Sequence, residues 1–178
     1  EDSTLLTLDE VIKQELKGAR IAAISGPSYA TEVLNHIPTA VILASEDEEI
    51  LNTLPDIFSN EYMRIYKSND IKGVEIGGAL KNIIAFGAGM CTELGYGMNW
   101  QAALITRGLA EISRLGVKMG AKKETFYGLS GLGDLILTCS SDESRNRRAG
   151  RLIGKGKTIE ETKKEIGMTI ESFDNIEV

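Results

Sequence analysis

Lys81 stands in a long apolar, glycine-rich run from Ile71 to Gly89, where helical packing would strip water from its ammonium. Something has to compensate for that loss of hydration. A desolvated lysine with an acidic neighbour can pass a proton to and from a substrate hydroxyl or carbonyl, because burial lowers its pKa towards the working range. The alternative is that its stem lies along apolar surface and its ammonium reaches solvent. The turn Gly128-Leu129-Ser130-Gly131-Leu132-Gly133-Asp134-Leu135 delivers one acid, Asp134. That carboxylate could bind a hydroxyl or orient Lys81, or it could cap a helix. The glycine order, G-x-x-G-x-G with no Lys-Ser/Thr after it, meets neither nucleotide-loop fingerprint.

Ser144-Arg145-Asn146-Arg147-Arg148 opens a helix, with Asp142 or Ser144 as its cap. Free backbone N–H groups at a helix start, a guanidinium fork and the donors of Ser144 and Asn146 suit a phosphate. A solvated basic helix face is the alternative. Ser25-Gly26-Pro27-Ser28-Tyr29-Ala30 lies at the carboxyl end of an expected strand, the edge of an α/β sheet where ligands bind, and as a sequence it also fits a plain strand-to-helix turn. His36 reads as a surface residue beside Pro38 and Trp100 as core; neither is given a function.

The elements that must position these residues change character along the chain. Leu8, Val11, Ile12 and Leu16 share one side of a helix over Thr7 to Leu16, closed by Gly18. Ile21-Ala22-Ala23-Ile24 reads as a buried strand, and Pro27 sits where prolines start helices. A helix through Val33, a strand at Thr39 to Ala44, a helix at Glu46 to Phe58 capped by Asp47 or Ser45, and a strand at Met63 to Tyr66 follow. That alternation specifies an α/β sheet. After about Ser68 strand signals fade and the region reads as all-helical, starting with a central helix over Ile71 to Gly89. Further helices are expected at Trp100 to Met119 (apolar at Leu104, Leu109, Ile112 and Leu115), Lys123 to Leu129, Ser144 to Gly154, and from Thr158, where Glu161 completes a capping box.

Composition narrows the field. In 178 residues, 42% hydrophobic content is enough for a core, and 2 Cys and 1 His leave no room for a disulfide framework or a histidine-rich metal site. Disorder is excluded with them. Residues 1–68 carry 12 acids against 5 bases, residues 69–178 carry 14 against 15, so a small anion belongs with the second part. Neither part has the basic excess of a nucleic-acid-binding domain. The apolar stretches are short and glycine-rich, so no membrane span is expected. Glu1 and Asp2 open the chain without an initiator Met, which reads as a piece of something longer.

Taken together, Ser25-Gly26-Pro27, Gly77-Gly78-Ala79-Leu80-Lys81-Asn82, Gly87-Ala88-Gly89, Leu104-Ile105-Thr106-Arg107-Gly108, Gly131-Leu132-Gly133-Asp134 and Ser144-Arg145-Asn146-Arg147 occur in the order found in NAD(P)-dependent sn-glycerol-3-phosphate dehydrogenases. The chain resembles the bacterial form of that family over essentially its whole length. The resemblance implies the trailing part of a Rossmann-type nucleotide-binding domain at residues 1–68. An all-α substrate domain of the 6-phosphogluconate dehydrogenase C-terminal type would follow at 69–178, incomplete at its end. It implies that the Gly-rich pyrophosphate loop lies before Glu1 and that this piece alone is inactive or nearly so.

The same resemblance assigns Lys81 as general acid/base, Asp134 beside it on the substrate, and Gly26, Ser28, Ser144, Arg145 and Asn146 as further holders of glycerol 3-phosphate. Ala30, Arg145 and Glu171 match positions that contact the nucleotide. Ser28 stands where the family often has Thr. The implied cofactor is NAD or NADP, with NADPH favoured as reductant, and no metal. The implied setting is a cytoplasmic homodimer supplying glycerol 3-phosphate for phospholipid synthesis. A related dehydrogenase acting on another hydroxy acid or sugar phosphate, and a non-catalytic helical binding module, remain open at this stage.

Overall fold

The computed structural model of the chain describes residues 4–176, and Glu1 and Asp2 lie outside the described residues. The β-branched run of β2 (Thr39–Ala44) forms the middle strand of a three-stranded sheet in the order β1-β2-β3. β3 (Met63–Ser68) runs parallel to it with Thr39 opposite Met63, and β1 (Ala23–Ser25) runs antiparallel with Ile24 opposite Leu43. Val41 and Leu43 are fully buried, whereas Ile24 is 48% exposed. The buried strand expected at Ile21 to Ile24 is therefore a shorter, half-covered edge strand shifted towards Ser25.

Helices α1 (Leu8–Glu15), α2 (Ala30–Leu34) and α3 (Glu48–Phe58) accompany the sheet. Asp47 is the cap of α3, accepting from the backbone N–H of Glu49 at 2.9 Å, a contact worth about 1 kcal/mol. Ser45, the other candidate, instead donates to the carbonyl of Ile21 at 2.6 Å. Pro27 does not start α2, which begins after Tyr29. On α1 the expected apolar face is corrected: Leu8 and Leu16 are exposed, and the buried residue is Asp9, whose carboxylate takes Lys13 at 2.9 Å and the Thr7 hydroxyl at 2.6 Å. A satisfied carboxylate rather than an apolar stripe faces the protein there.

Beyond Ser68 no strand occurs among the described residues. The central helix α4 (Ile71–Glu93) is long and apolar enough to cross a membrane by length and composition, yet here it packs against α5 (Met98–Lys118), α6 (Asp134–Ser140), α7 (Arg145–Gly154) and α9 (Glu171–Ile176). Asp70 caps it by accepting from Gly73 N–H at 3.1 Å. The same carboxylate takes Lys122 N–H at 2.9 Å and the Thr125 hydroxyl at 2.5 Å, anchoring a 3-10 turn at Lys123–Tyr127 where a regular helix was expected. Phe126 from that turn is fully buried with Ile76, Ala85, Leu109, Ile112 and Leu135, and contributes about 1.5–3 kcal/mol of burial. Ala44, Ile71 and Val74 make a second core joining sheet to α4.

Two apolar expectations on α5 fail. Leu115 is 46% exposed, and Trp100 is 48% exposed on the first turn, where its ring lies tilted against that of Tyr96 with centroids 5.3 Å apart. Trp100 nonetheless reaches α4, its indole N–H donating to Cys91 Sγ at 2.9 Å. His36 is a surface residue as expected, stacked on Tyr62. Thr158 and Glu161 form the capping box of α8 (Ile159–Ile166).

Candidate active site

Small residues decide how closely α4 approaches the glycine-rich turn. A Cβ on Gly77 would lie 2.9 Å from the carbonyl oxygen of Ser130, so only glycine allows α4 to lie against the turn at Leu129–Gly133, a single π-helical turn. One turn further along each element, the ammonium of Lys81 donates to Asp134 Oδ2. Lys81's side chain is 19% exposed and Asp134's 6%. Lys81 is thus paired rather than extended into solvent, and Asp134 opens α6 without capping it. Thr138, one turn on, donates to the backbone oxygen of Asp134 at 2.6 Å and lies 3.2 Å from its Oδ1. Burial pushes the Asp134 carboxyl above the ordinary 3.8, and the ammonium of Lys81 opposes that rise.

Both groups line a cleft of about 380 Å³ together with Gly26, Ser28, Ala30, Ser144, Arg145, Asn146 and Glu171. The fold therefore gathers in one cavity every site residue expected from the sequence. Gly26 follows β1 with φ +144°, a backbone state that side chains rarely adopt, and a Cβ there would meet Val41 Cα at 3.0 Å. The loop can make this turn only with glycine. Ser28 and Ala30, beyond it, are exposed at the cleft edge, and the Ser28 hydroxyl donates to Gly26 O at 3.0 Å.

Ser144 is the N-cap of α7, accepting from Arg147 N–H at 3.2 Å, which leaves its O–H free to donate into the cleft. Asn146 is 6% exposed, and its carbonyl oxygen takes the Ser172 N–H at 2.8 Å, so the amide nitrogen is the end left for a ligand. Arg145 lies 3.7 Å from Glu171, whose other oxygen takes the Asn82 amide at 2.5 Å. The basic run is not a solvated face: Arg147 is 8% exposed and pairs with Asp142. Donors and a cation sharing one cleft with a lysine and a carboxylate suit a small phosphorylated molecule with an oxygen near Lys81.

Asn82, Thr138, Tyr29 and Glu143 were given no role from sequence. Thr138 had a usable signal, its spacing of one helical turn from Asp134, and Asn82 its position beside Lys81. Tyr29 and Glu143 had none, because their partners lie more than a hundred residues away. A larger hollow, about 430 Å³ beside Tyr62 and Met63, has Glu61 and Arg64 as its charged residues, both exposed, and gathers no comparable set. Among the described residues no group of three or more His, Cys, Asp or Glu could hold a metal ion.

Comparison with known proteins bears on this geometry. A family model described as NAD-dependent glycerol-3-phosphate dehydrogenase C-terminus matches residues 70–178, and the N-terminus model of the same enzymes matches residues 1–51. Glycerol-3-phosphate dehydrogenase (NAD(P)+) of Clostridium perfringens is 56% identical over 173 residues, which is 97% of this chain and 52% of that protein. The protein of the same name from Fusobacterium nucleatum is 53% identical over 175 residues, 97% of this chain and 52% of its own. The crystal structure of glycerol-3-phosphate dehydrogenase from Coxiella burnetii superposes with a TM-score of 0.92 at 45% identity, covering 96% of this chain and 53% of that one. The yeast glycerol-3-phosphate dehydrogenase structure gives 0.83 at 31% identity, covering 94% and 51%. The chain spans about half the length of the curated relatives it matches.

Proposed function

The chain belongs to the NAD-dependent glycerol-3-phosphate dehydrogenase family, and from that premise we propose that it carries the substrate site of an oxidoreductase interconverting sn-glycerol 3-phosphate and dihydroxyacetone phosphate. The observation that carries this reading is the Lys81–Asp134 ion pair in a cleft that Ser144, Arg145 and Asn146 also line. A phosphate held by those three puts the three-carbon skeleton towards Lys81. Lys81 gives its proton to the C2 oxygen in reduction and takes it back in oxidation. Asp134 keeps the ammonium in place, and Thr138 keeps Asp134 in place.

The donors at the cleft edge fit part of a dinucleotide. The half-exposed Arg145 guanidinium suits a phosphate, the Glu171 carboxylate suits ribose hydroxyls, and Ala30 adds no bulk. Bound there, NADH or NADPH would supply the hydride to C2 in reduction, and the oxidised nucleotide would accept it in the reverse direction. We assign residues 1–68 to the nucleotide-binding part and 69–178 to the substrate domain, a division supported by the last strand ending at Ser68 and α4 starting at Ile71. The homodimer, the cytoplasmic setting and the link to phospholipid synthesis rest on the family resemblance.

The test is absorbance at the reduced-nicotinamide band as dihydroxyacetone phosphate is added to the native protein with NADH or NADPH in separate cuvettes. Substrate-dependent oxidation is expected. Silence with both coenzymes from folded protein would overturn the reading.

A further inference from the structure

Two hydrogen bonds tie the segment Tyr29–Thr31 to residues that line the cleft, Leu137 and Glu143, and take no part in the chemistry described above. Tyr29 lies between Ser28 and Ala30, and its phenol donates to the backbone oxygen of Leu137 at 3.0 Å. Leu137 lines the cleft from α6, the helix that Asp134 opens. Thr31, two residues on, donates to Glu143 Oε2 at 2.5 Å, immediately before Ser144. One tie reaches the helix of the acid, and the other reaches the start of the anion-holding run. Neither belongs to a hydrophobic core cluster.

We propose that Tyr29 and Thr31 form a two-point clasp that positions the Ser28–Ala30 edge against Lys81, Asp134 and Arg145, and so sets the spacing between the nucleotide and substrate sides of the cleft. The proposal rests on the dehydrogenase reading. Spacing matters because transfer between two bound groups depends steeply on their approach, and a misplacement of about 1 Å can cost roughly a hundredfold in rate. The two ends of each tie are 108 and 112 residues apart, so local chain stiffness cannot replace them.

Tyr29→Phe removes the hydroxyl and keeps the ring; Thr31→Val removes the second hydroxyl, and Thr31→Ser keeps it. In the native protein, each hydroxyl deletion should lower kcat about three- to tenfold, the range for one hydrogen bond, with KM within about twofold, while Thr31→Ser stays near the parent. Hydrogen–deuterium exchange without ligand should quicken over residues 26–34 and 134–145 in both deletion variants. Unchanged kcat in both, or unchanged exchange in both, overturns the clasp. If the parent protein shows no turnover, the dehydrogenase reading fails instead and exchange alone decides: faster exchange supports the clasp, unchanged exchange overturns it. Should Tyr29→Phe not fold, Thr31→Val against Thr31→Ser makes the same comparison.

Discussion

Gly77 of α4 and Ser130 of the π-helical turn touch with no side chain between them: a Cβ on Gly77 would lie 2.9 Å from the Ser130 carbonyl oxygen. The Lys81–Asp134 pair repeats that contact at the same stride, one turn further along both elements. A backbone approach thus sets how near a cation and an acid can come, and the proposed proton chemistry would depend on a residue that has no side chain.

Gly77→Ala should therefore reduce stability by about 1–3 kcal/mol, the range for an overpacked site, and lower kcat as α4 is pushed from the turn. Gly87→Ala is the control, since a Cβ there meets only Leu104 Cδ2 at 3.8 Å. Freed from the backbone entropy of glycine, that variant should be neutral or up to about 1 kcal/mol more stable. Urea unfolding of both variants checks the contrast; equal losses would mean that the Ser130 contact can relax.

Lys81→Met should lower kcat by about 10²- to 10⁴-fold, the range for a positioned acid/base, with the far-ultraviolet spectrum unchanged. The methionine keeps the length of the stem among its neighbours. Retained turnover in this variant would move the proton role to another group.

Asp134 makes a prediction about pH with a definite sign. Its folded pKa lies above the ordinary 3.8 because burial disfavours the carboxylate more than Lys81 favours it. As pH rises past 3.8 the unfolded chain gives up the proton first, so the fold loses stability from there up through the folded pKa. Asp134→Asn cannot ionise and should escape that loss. Urea unfolding of both proteins across the acidic range is the check; a wild type that gains on the variant as pH rises would mean that the Lys81 attraction outweighs burial.

Much of this arrangement was legible from local pattern, and the failures share a cause. The span of α4 and the capping of α7 by Ser144 and α8 by Thr158 follow from residues within a few positions of each other. On α1 the apolar period pointed to Leu8 and Leu16, but Asp9 is buried because it finds Thr7 and Lys13, a matter of satisfied polar groups that hydrophobic periodicity does not register. Trp100 reads as core from sequence, yet it is half exposed with its indole N–H given to Cys91, a partner that local pattern does not show. Asp70 escaped notice as the shared acceptor of Gly73, Lys122 and Thr125, because its partners come from two separate segments.

Arg145→Ala should raise KM for dihydroxyacetone phosphate about 10- to 100-fold, in line with a charge-assisted hydrogen bond worth about 1.5–3 kcal/mol, and change kcat less. Its guanidinium now faces Glu171 at 3.7 Å, a loose pair that a phosphate can displace. An unchanged KM with normal turnover would contradict the phosphate role.

The two cysteines give a readout that needs no substrate. Cys139 is fully buried on α6 and its thiol is pushed up to about 12 by burial, so at pH 8 it holds almost no thiolate, the form that attacks a disulfide reagent. Cys91 is only partly buried, and its sulfur accepts the indole N–H of Trp100 at 2.9 Å. One thiol per chain should therefore react while the protein is folded, and two after unfolding. Because Trp100 is the sole tryptophan, labelling of Cys91 should change the intrinsic fluorescence in step with the first thiol and not with the second. Two thiols reacting at equal rates in folded protein would mean that α6 opens far enough to expose Cys139, and with it the backbone that holds Asp134 and Thr138 beside Lys81.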